Sequence, residues 1–358
     1  MNILVIGAGS IGTFVGAKLA LAGHHVTLLG RPRFAAAVAK NGLRLRDEEG
    51  DRVVPGVTAA TSFEEALALA TGFTYIVMAV KSYDTAEAAK DLASALGNGT
   101  CPTIVTLQNG VGNEERIAET FGAACVVAGV IATPVSTLGP AYAHVEKSDY
   151  GVGLSRWHPA VSSAAFDSAV TSFSDAGLSV TEYQNAPSLK WTKLLMNMVG
   201  NASCAILDMA PHQLFADKEL AGLEIKAWRE ALATVKAARI SPVNFGSYPV
   251  SLLAPLIRTL PVPVLRRALR KSVGDARGGK MPSLYIDLES GRTKSEVSWL
   301  NGAVVRKGNE VGVRTPINRM LTDVLLRIVE TPSERDVWRG NSARLLAAAE
   351  EYRTAAAR

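Results

Sequence analysis

The sequence predicts an α/β N-terminal half built on a doubly wound parallel sheet, followed by an all-helical C-terminal half. Three observations carry this. Short apolar runs rich in β-branched residues alternate with helical patterns up to about residue 130. A glycine-rich turn stands between the first such run and the first helical stretch, and after residue 185 the apolar period becomes helical and stays so to the end. At roughly 150 residues per domain the 358-residue chain holds about two. The boundary falls near 185, dividing the chain into 1–185 and 186–358.

The elements follow in order. Strands are expected at 2–6, 26–29, 75–80, 103–107 and 126–130, with helices at 11–22, 62–70, 84–96 and 114–121 between them and a hairpin around 43–57. From 142 to 183 the pattern is looser and strand-like, with strands at 150–154 and 178–183. Helices are then expected at 188–207, 218–237, 282–288, 296–311 and 317–329, closed by an Ala-rich helix over 343–358. The stretch 245–265 carries Pro249, Pro255, Pro261 and Pro263, then Arg266, Arg267, Arg270 and Lys271. Prolines break helices, so this segment reads as broken helices forming a lid or subunit contact, with a helix on a membrane surface as the alternative.

Composition excludes several classes. With 48% hydrophobic and 20% charged residues the chain can offset its ordering entropy by burial, so disorder is not its main state. A net charge of +5 suits anionic small molecules and does not argue for nucleic acid. Cys101, Cys125 and Cys204 are far apart and odd in number, against a disulfide framework, and the five histidines form no Cys/His cluster for a metal. The first residues lack the basic start of a signal peptide, and no apolar run is long enough for a membrane span. A cytoplasmic protein is the expectation.

Gly7-Ala8-Gly9-Ser10-Ile11-Gly12 lies between the first strand and the first helix. In that setting Gly7 permits a tight turn, Gly9 lets the backbone approach a pyrophosphate, and Gly12 lets the helix pack on the strand, with phosphates at the helix N-terminus. This is a Rossmann-type dinucleotide site; the plain alternative is a glycine turn. Sites for NAD usually carry an acid at the end of the second strand to bond the ribose hydroxyls. Here the chain reads Leu28-Leu29-Gly30-Arg31-Pro32-Arg33. The missing acid favours NADPH, with Arg31 pairing a 2′-phosphate and Arg33 as a second contact, unless both are simply solvated. Lys81 and Asn109 follow parallel strands, at the carboxyl edge where such sheets bind ligands. Lys193, Asn197 and Asn201 recur every fourth position and form one polar stripe on a helix whose other face carries Trp191, Leu194, Leu195, Met198 and Val199. That stripe either lines a ligand site or faces water.

The set of GAGSIG, Val80-Lys81-Ser82, Leu107-Gln108-Asn109-Gly110-Val111-Gly112, Lys193-Leu-Leu-Met-Asn197 and Glu296 before Leu300-Asn301-Gly302 resembles the ketopantoate reductase (2-dehydropantoate 2-reductase) family over roughly 1–330. The resemblance implies a Rossmann domain, an all-helical second domain, an active site between them, and a homodimer that reduces a 2-oxo acid with NADPH. It makes Lys193 the general acid and Glu296 a carboxylate that orients cofactor or lysine. Substrate contacts fall to Asn109, Lys193, Asn197, Asn201 and Ser283, and cofactor contacts to the glycine loop, Arg31, Lys81, Asn109 and Glu296. The sequence departs from the family pattern at three places. Lys280 and Pro211 replace family asparagines, and the loop 291–296 is one residue longer. Three readings stand: a reductase of ketopantoate, a paralogue acting on another 2-oxo acid or carbonyl, and a dinucleotide sensor without turnover.

Overall fold

The computed structural model describes residues 1–357 apart from 71, 98, 100, 101 and 272–280. Cys101 and Lys280 therefore lie outside the described residues. The chain forms two compact units, Met1–Lys190 and Trp191–Arg358.

In the first unit the strands are β1 (Asn2–Ile6), β2 (His25–Leu29), β3 (Leu43–Asp47), β4 (Gly50–Val54), β5 (Val57–Ala60), β6 (Tyr75–Met78), β7 (Ile104–Thr106), β8 (Val126–Ile131), β9 (Val135–Gly139), β10 (Tyr142–Val145), β11 (Gly151–Arg156) and β12 (Ser179–Glu182). Helices are α1 (Ser10–Leu21), α2 (Pro32–Asn41), α3 (Phe63–Ala68), α4 (Thr85–Leu96), α5 (Asn113–Phe121), α6 (Ser163–Asp175) and the start of α7 (Ala186–Asn197). Eight described strands make one sheet in the order β12-β11-β8-β7-β6-β1-β2-β5. All neighbours from β5 to β8 are parallel, β11 runs antiparallel to β8, and β12 is parallel to β11.

Burial explains why the central strands read so clearly. Ile3 and Val5 pack with α1, α6 and the small sheet on one face, while Leu4 and Ile6 pack with α3, α4 and α5 on the other. A strand covered on both faces is apolar throughout, and each such side chain contributes about 1.5–3 kcal/mol. The chain runs outward in both directions from the β1–β6 pair, the switch point at whose carboxyl edge ligands bind in this topology.

Two expectations need correction here, and one pairing was not foreseen. The hairpin is β3–β4 alone, because β5 leaves it to pair with β2 in the main sheet. β10 pairs in parallel with β3 and antiparallel with β9, building a separate four-stranded sheet. The loose stretch before the second unit contains a full helix, α6, whose Ser162 side chain accepts from Ala165 N.

The second unit is helical: α8 (Asn201–Leu207), α9 (Pro211–Ala216), α10 (Lys218–Ala237), α11 (Val250–Thr259), α12 (Val262–Leu269), α13 (Ser283–Glu289), α14 (Asn301–Glu310), α15 (Pro316–Glu330), α16 (Arg335–Trp338) and α17 (Ser342–Ala357). The expected helix over 188–207 is two helices. Gly200 sits at φ +72 between them, and the Glu224 carboxylate accepts its N–H at 2.7 Å and the Ser203 hydroxyl as well. Pro211 begins α9 behind Ala210, whereas Asp208 ends α8 in a left-handed conformation and pairs with Arg339 at 2.9 Å. The proline-rich stretch forms α11, with Pro255 inside it, and α12; Arg229 of α10 donates to the Ile257 and Leu260 carbonyls at the end of α11. No described helix is long and apolar enough to cross a membrane.

Glu230 of α10 caps α15 across the unit. Its carboxylate accepts Ile317 N at 2.9 Å, Asn318 N at 3.0 Å and Asn318 Nδ2 at 2.8 Å. Ile317 and Asn318 are fully buried, so Glu230→Ala strands their amides without water. We expect a loss on the order of 3 kcal/mol in denaturant unfolding. Burial pushes the Glu230 carboxyl up against the pull of those hydrogen bonds. A raised folded value means the native state holds the proton more tightly than the unfolded chain. This residue's contribution is therefore present at low pH and declines as the pH climbs above the ordinary glutamate value of 4.5. Glu230→Gln flattens that part of the stability profile.

Candidate active site

In the first unit the site begins at the glycine loop. Gly7 has φ +105 and donates its N–H to Leu29 O at 3.0 Å; a Cβ there would stand 2.6 Å from Val80 N. Gly12 packs so closely that a Cβ would lie 1.9 Å from Gly7 O. Gly9 is the opposite case: it is exposed, and a Cβ there would meet nothing within 4 Å. The first helical hydrogen bond of α1 is Thr13 N to Gly9 O, 2.9 Å, and no side chain caps the helix. The amides of Ser10, Ile11 and Gly12 thus precede the ladder and carry the positive end of the helix dipole. At Gly9 the loop leaves its backbone open, beside the uncapped start of α1.

At the end of β2, a Cβ on Gly30 would stand 2.8 Å from Ala8 Cβ and 2.7 Å from Phe34 Cδ1, so this turn lies against the glycine loop. Arg31 and Arg33 are exposed, and Pro32 at the first position of α2 fixes the helix start directly behind Arg31.

Lys81 and Asn109 stand after β6 and β7, both half-buried. A buried polar network holds their loops. Ser82 Oγ and Asn113 Nδ2 donate to Asn109 O at 2.9 and 3.0 Å, and Thr85 Oγ1 lies 2.9 Å from Asn113 Oδ1. Gln108 Nε2 donates to Val80 O at 2.9 Å and to Thr85 Oγ1 at 2.6 Å. Gly110 and Gly112, at φ +81 and +108, let the chain turn there. The Asn109 carboxamide makes no hydrogen bond among the described residues. Beneath this turn Lys190 and Glu114 form an ion pair of 2.9 Å, with side chains 2% and 1% exposed. Sequence reasoning gave no role to Thr85, Thr106, Asn113, Glu114 or Lys190. The usable signal was the excess of polar residues directly after buried strands.

In the second unit Lys193 and Asn197 lie half-buried on α7. The Lys193 ammonium stands 5.8 Å from the centroid of the buried Phe245 ring. The Asn197 carboxamide makes no hydrogen bond among the described residues. Asn201 is 1% exposed and its carboxamide is fully engaged: Nδ2 donates to Asn197 O at 3.1 Å and Ser283 Oγ at 3.3 Å, and Oδ1 accepts Leu284 N at 3.1 Å. It fastens the start of α13 to α8 and orients Ser283. Glu296 is buried at the head of a 3-10 turn, Glu296–Trp299, that leads into α14. No three His, Cys, Asp or Glu side chains cluster to hold a metal among the described residues.

The structure thus gathers the glycine loop, Arg31, Lys81 and Asn109 along one sheet edge, and joins Asn197, Asn201 and Ser283 by hydrogen bonds. The family described as "Ketopantoate reductase PanE/ApbA" matches residues 3–156, and its C-terminal counterpart matches 185–329. A 2-dehydropantoate 2-reductase of Pyrococcus horikoshii is 27% identical over 321 residues, covering 90% of this chain and 95% of that protein. Among solved structures, a PanE/ApbA family ketopantoate reductase from Ralstonia eutropha has a TM-score of 0.76 and 25% identity, covering 94% of this chain and all of that one. A D-mandelate dehydrogenase with NADH and anilino(oxo)acetate shares the fold, at a TM-score of 0.75 and 21% identity over 94% of this chain and 99% of its own. The two family models together match most of the chain, across both units: the chain belongs to the ketopantoate reductase family of oxidoreductases.

Proposed function

We propose that this protein reduces a 2-oxo acid to the 2-hydroxy acid with NADPH, and that 2-dehydropantoate is the substrate, yielding pantoate for pantothenate synthesis. Family membership supports the reaction class, and the observation that carries the choice of cofactor is the end of β2. There an exposed arginine stands where an acid would bond ribose hydroxyls. The open backbone at Gly9 and the uncapped start of α1 suit the pyrophosphate. NADPH supplies the hydride. Lys81 and Asn109 hold the cofactor from the ends of β6 and β7. Lys193 protonates the substrate oxygen, Glu296 orients the lysine or cofactor, and Asn109, Asn197 and Ser283 bind the substrate, with Asn201 setting Ser283. Assembly as a cytoplasmic homodimer belongs to the same reading and is tested by light scattering and cell fractionation.

A second reading, a reductase of another 2-oxo acid, is favoured by Pro211, which starts α9 where ketopantoate-specific members carry an amide. A D-mandelate dehydrogenase of the same fold is seen with NADH and anilino(oxo)acetate, so 2-oxo acids with an aryl group belong in the assay. NADPH oxidation against a panel including ketopantoate decides. Rapid turnover of ketopantoate supports the first reading, preference for another acid the second, and tight binding without turnover overturns both.

Arg31→Glu is expected to raise the KM for NADPH about 10–100-fold, the weight of a charge-assisted pair, and to spare NADH. Wild-type preference for NADH would sink the assignment.

A further inference from the structure

We propose that the buried Lys190–Glu114 ion pair is a positioning device for the Gln108–Gly112 turn, and through it for dinucleotide binding. The inference rests on the reductase reading only in naming the ligand. Lys190 has three N–H donors and all are used: Glu114 Oε1 at 2.9 Å, Gln108 O at 2.8 Å and Gly129 O at 3.3 Å. Glu114 in turn accepts Thr106 Oγ1 at 2.5 Å, and Thr106 Oγ1 accepts Gly129 N at 3.3 Å. One ammonium thus ties together the end of β7, the middle of β8 and the first turn of α5.

The bond to Gln108 O is the one with consequence. It fixes the peptide that leads into Asn109, while Ser82 and Asn113 fix the carbonyl that leaves it. With both peptide planes held, the Asn109 side chain is left to point at a ligand. A hydrophobic core has no need of this arrangement, since a buried ion pair gains little stability over apolar residues of similar size. The pair costs desolvation and returns geometry. Gln108 and Gly129 are backbone acceptors, so no side chain at those positions replaces what Lys190 supplies.

The test separates geometry from stability. Lys190→Met leaves Glu114 buried and unpaired, so it should lower Tm and weaken NADPH binding, read by nicotinamide fluorescence. Lys190→Met with Glu114→Met removes the stranded charge, and we expect most of the Tm to return. NADPH affinity should stay about tenfold weaker, the weight of a lost hydrogen bond from a charged donor. Thr106→Val provides the converse, a lowered Tm with affinity unchanged, because Lys190 still holds Gln108. Recovery of affinity together with Tm in the double variant overturns the proposal. So does a weakening in Thr106→Val equal to that in Lys190→Met, measured where both are fully folded. That comparison decides the question even if the double variant does not fold. Wild-type protein that binds no NADPH refutes the reductase reading; wild type and variants that bind alike refute only the role of the pair.

Discussion

Replacing Lys193 by alanine is expected to cut kcat at least about 10²-fold while leaving NADPH affinity unchanged. Reduction of a 2-oxo acid leaves negative charge on the former carbonyl oxygen, which must be stabilised and then protonated. An ammonium does both, and in a partly dry site its charge acts at greater strength than in water. Lys193 is half-buried, and the face of the buried Phe245 ring 5.8 Å from its nitrogen favours the cation. Lys193→Met keeps the aliphatic stem and should lose as much as alanine, which separates the loss of the proton from the loss of packing. Lys193→Arg keeps the charge but cannot release a proton near neutral pH, so it should not restore turnover. Near-normal kcat in the alanine variant removes Lys193 from the mechanism.

How much of this was legible in the sequence follows from what kind of contact each feature depends on. β1, β6, β7 and β8 were readable because both faces are covered and, apart from Asn2 and Thr106, their residues form continuous hydrophobic runs. The small sheet was not, because β10 pairs with β3 about a hundred residues earlier and its own run, Tyr-Ala-His-Val, has little periodicity. α6 was hidden by its serines, which favour turns as readily as helix. The regular spacing of Lys193, Asn197 and Asn201 suggested one unbroken helix. Glu224, more than twenty residues on, draws the Gly200 amide out of the ladder and starts a second. Candidate motifs on contiguous segments, such as the glycine loop and Arg31, stand out in the sequence itself. Lys190, Glu114 and Thr106 could not, since they are up to 84 positions apart and meet only through the folded sheet.

The glycine loop yields the second large effect, because its three glycines are required for different reasons. In Gly12→Ala the added methyl would lie 1.9 Å from Gly7 O, well inside contact distance. Gly7 has little room to retreat, since even a Cβ on it would stand 2.6 Å from Val80 N and 2.7 Å from Ala79 C, just after β6. The start of α1 must therefore move away, taking the amides of Ser10 and Ile11 with it. Overpacking of this kind costs about 1–3 kcal/mol of stability, and a displacement near 1 Å in a binding frame costs about 10²-fold in function. Gly12→Ala should lose both Tm and NADPH affinity. Gly9→Ala adds its methyl where nothing lies within 4 Å, so its Tm should match the wild type. On the proposed reading the methyl would occupy the space through which a pyrophosphate reaches the backbone, so affinity for NADPH should still fall by more than about tenfold. Calorimetry and fluorescence titration of the two variants give the comparison. If Gly9→Ala binds NADPH as the wild type does, the phosphates do not lie against this loop, and the assignment of the site to a dinucleotide fails with it.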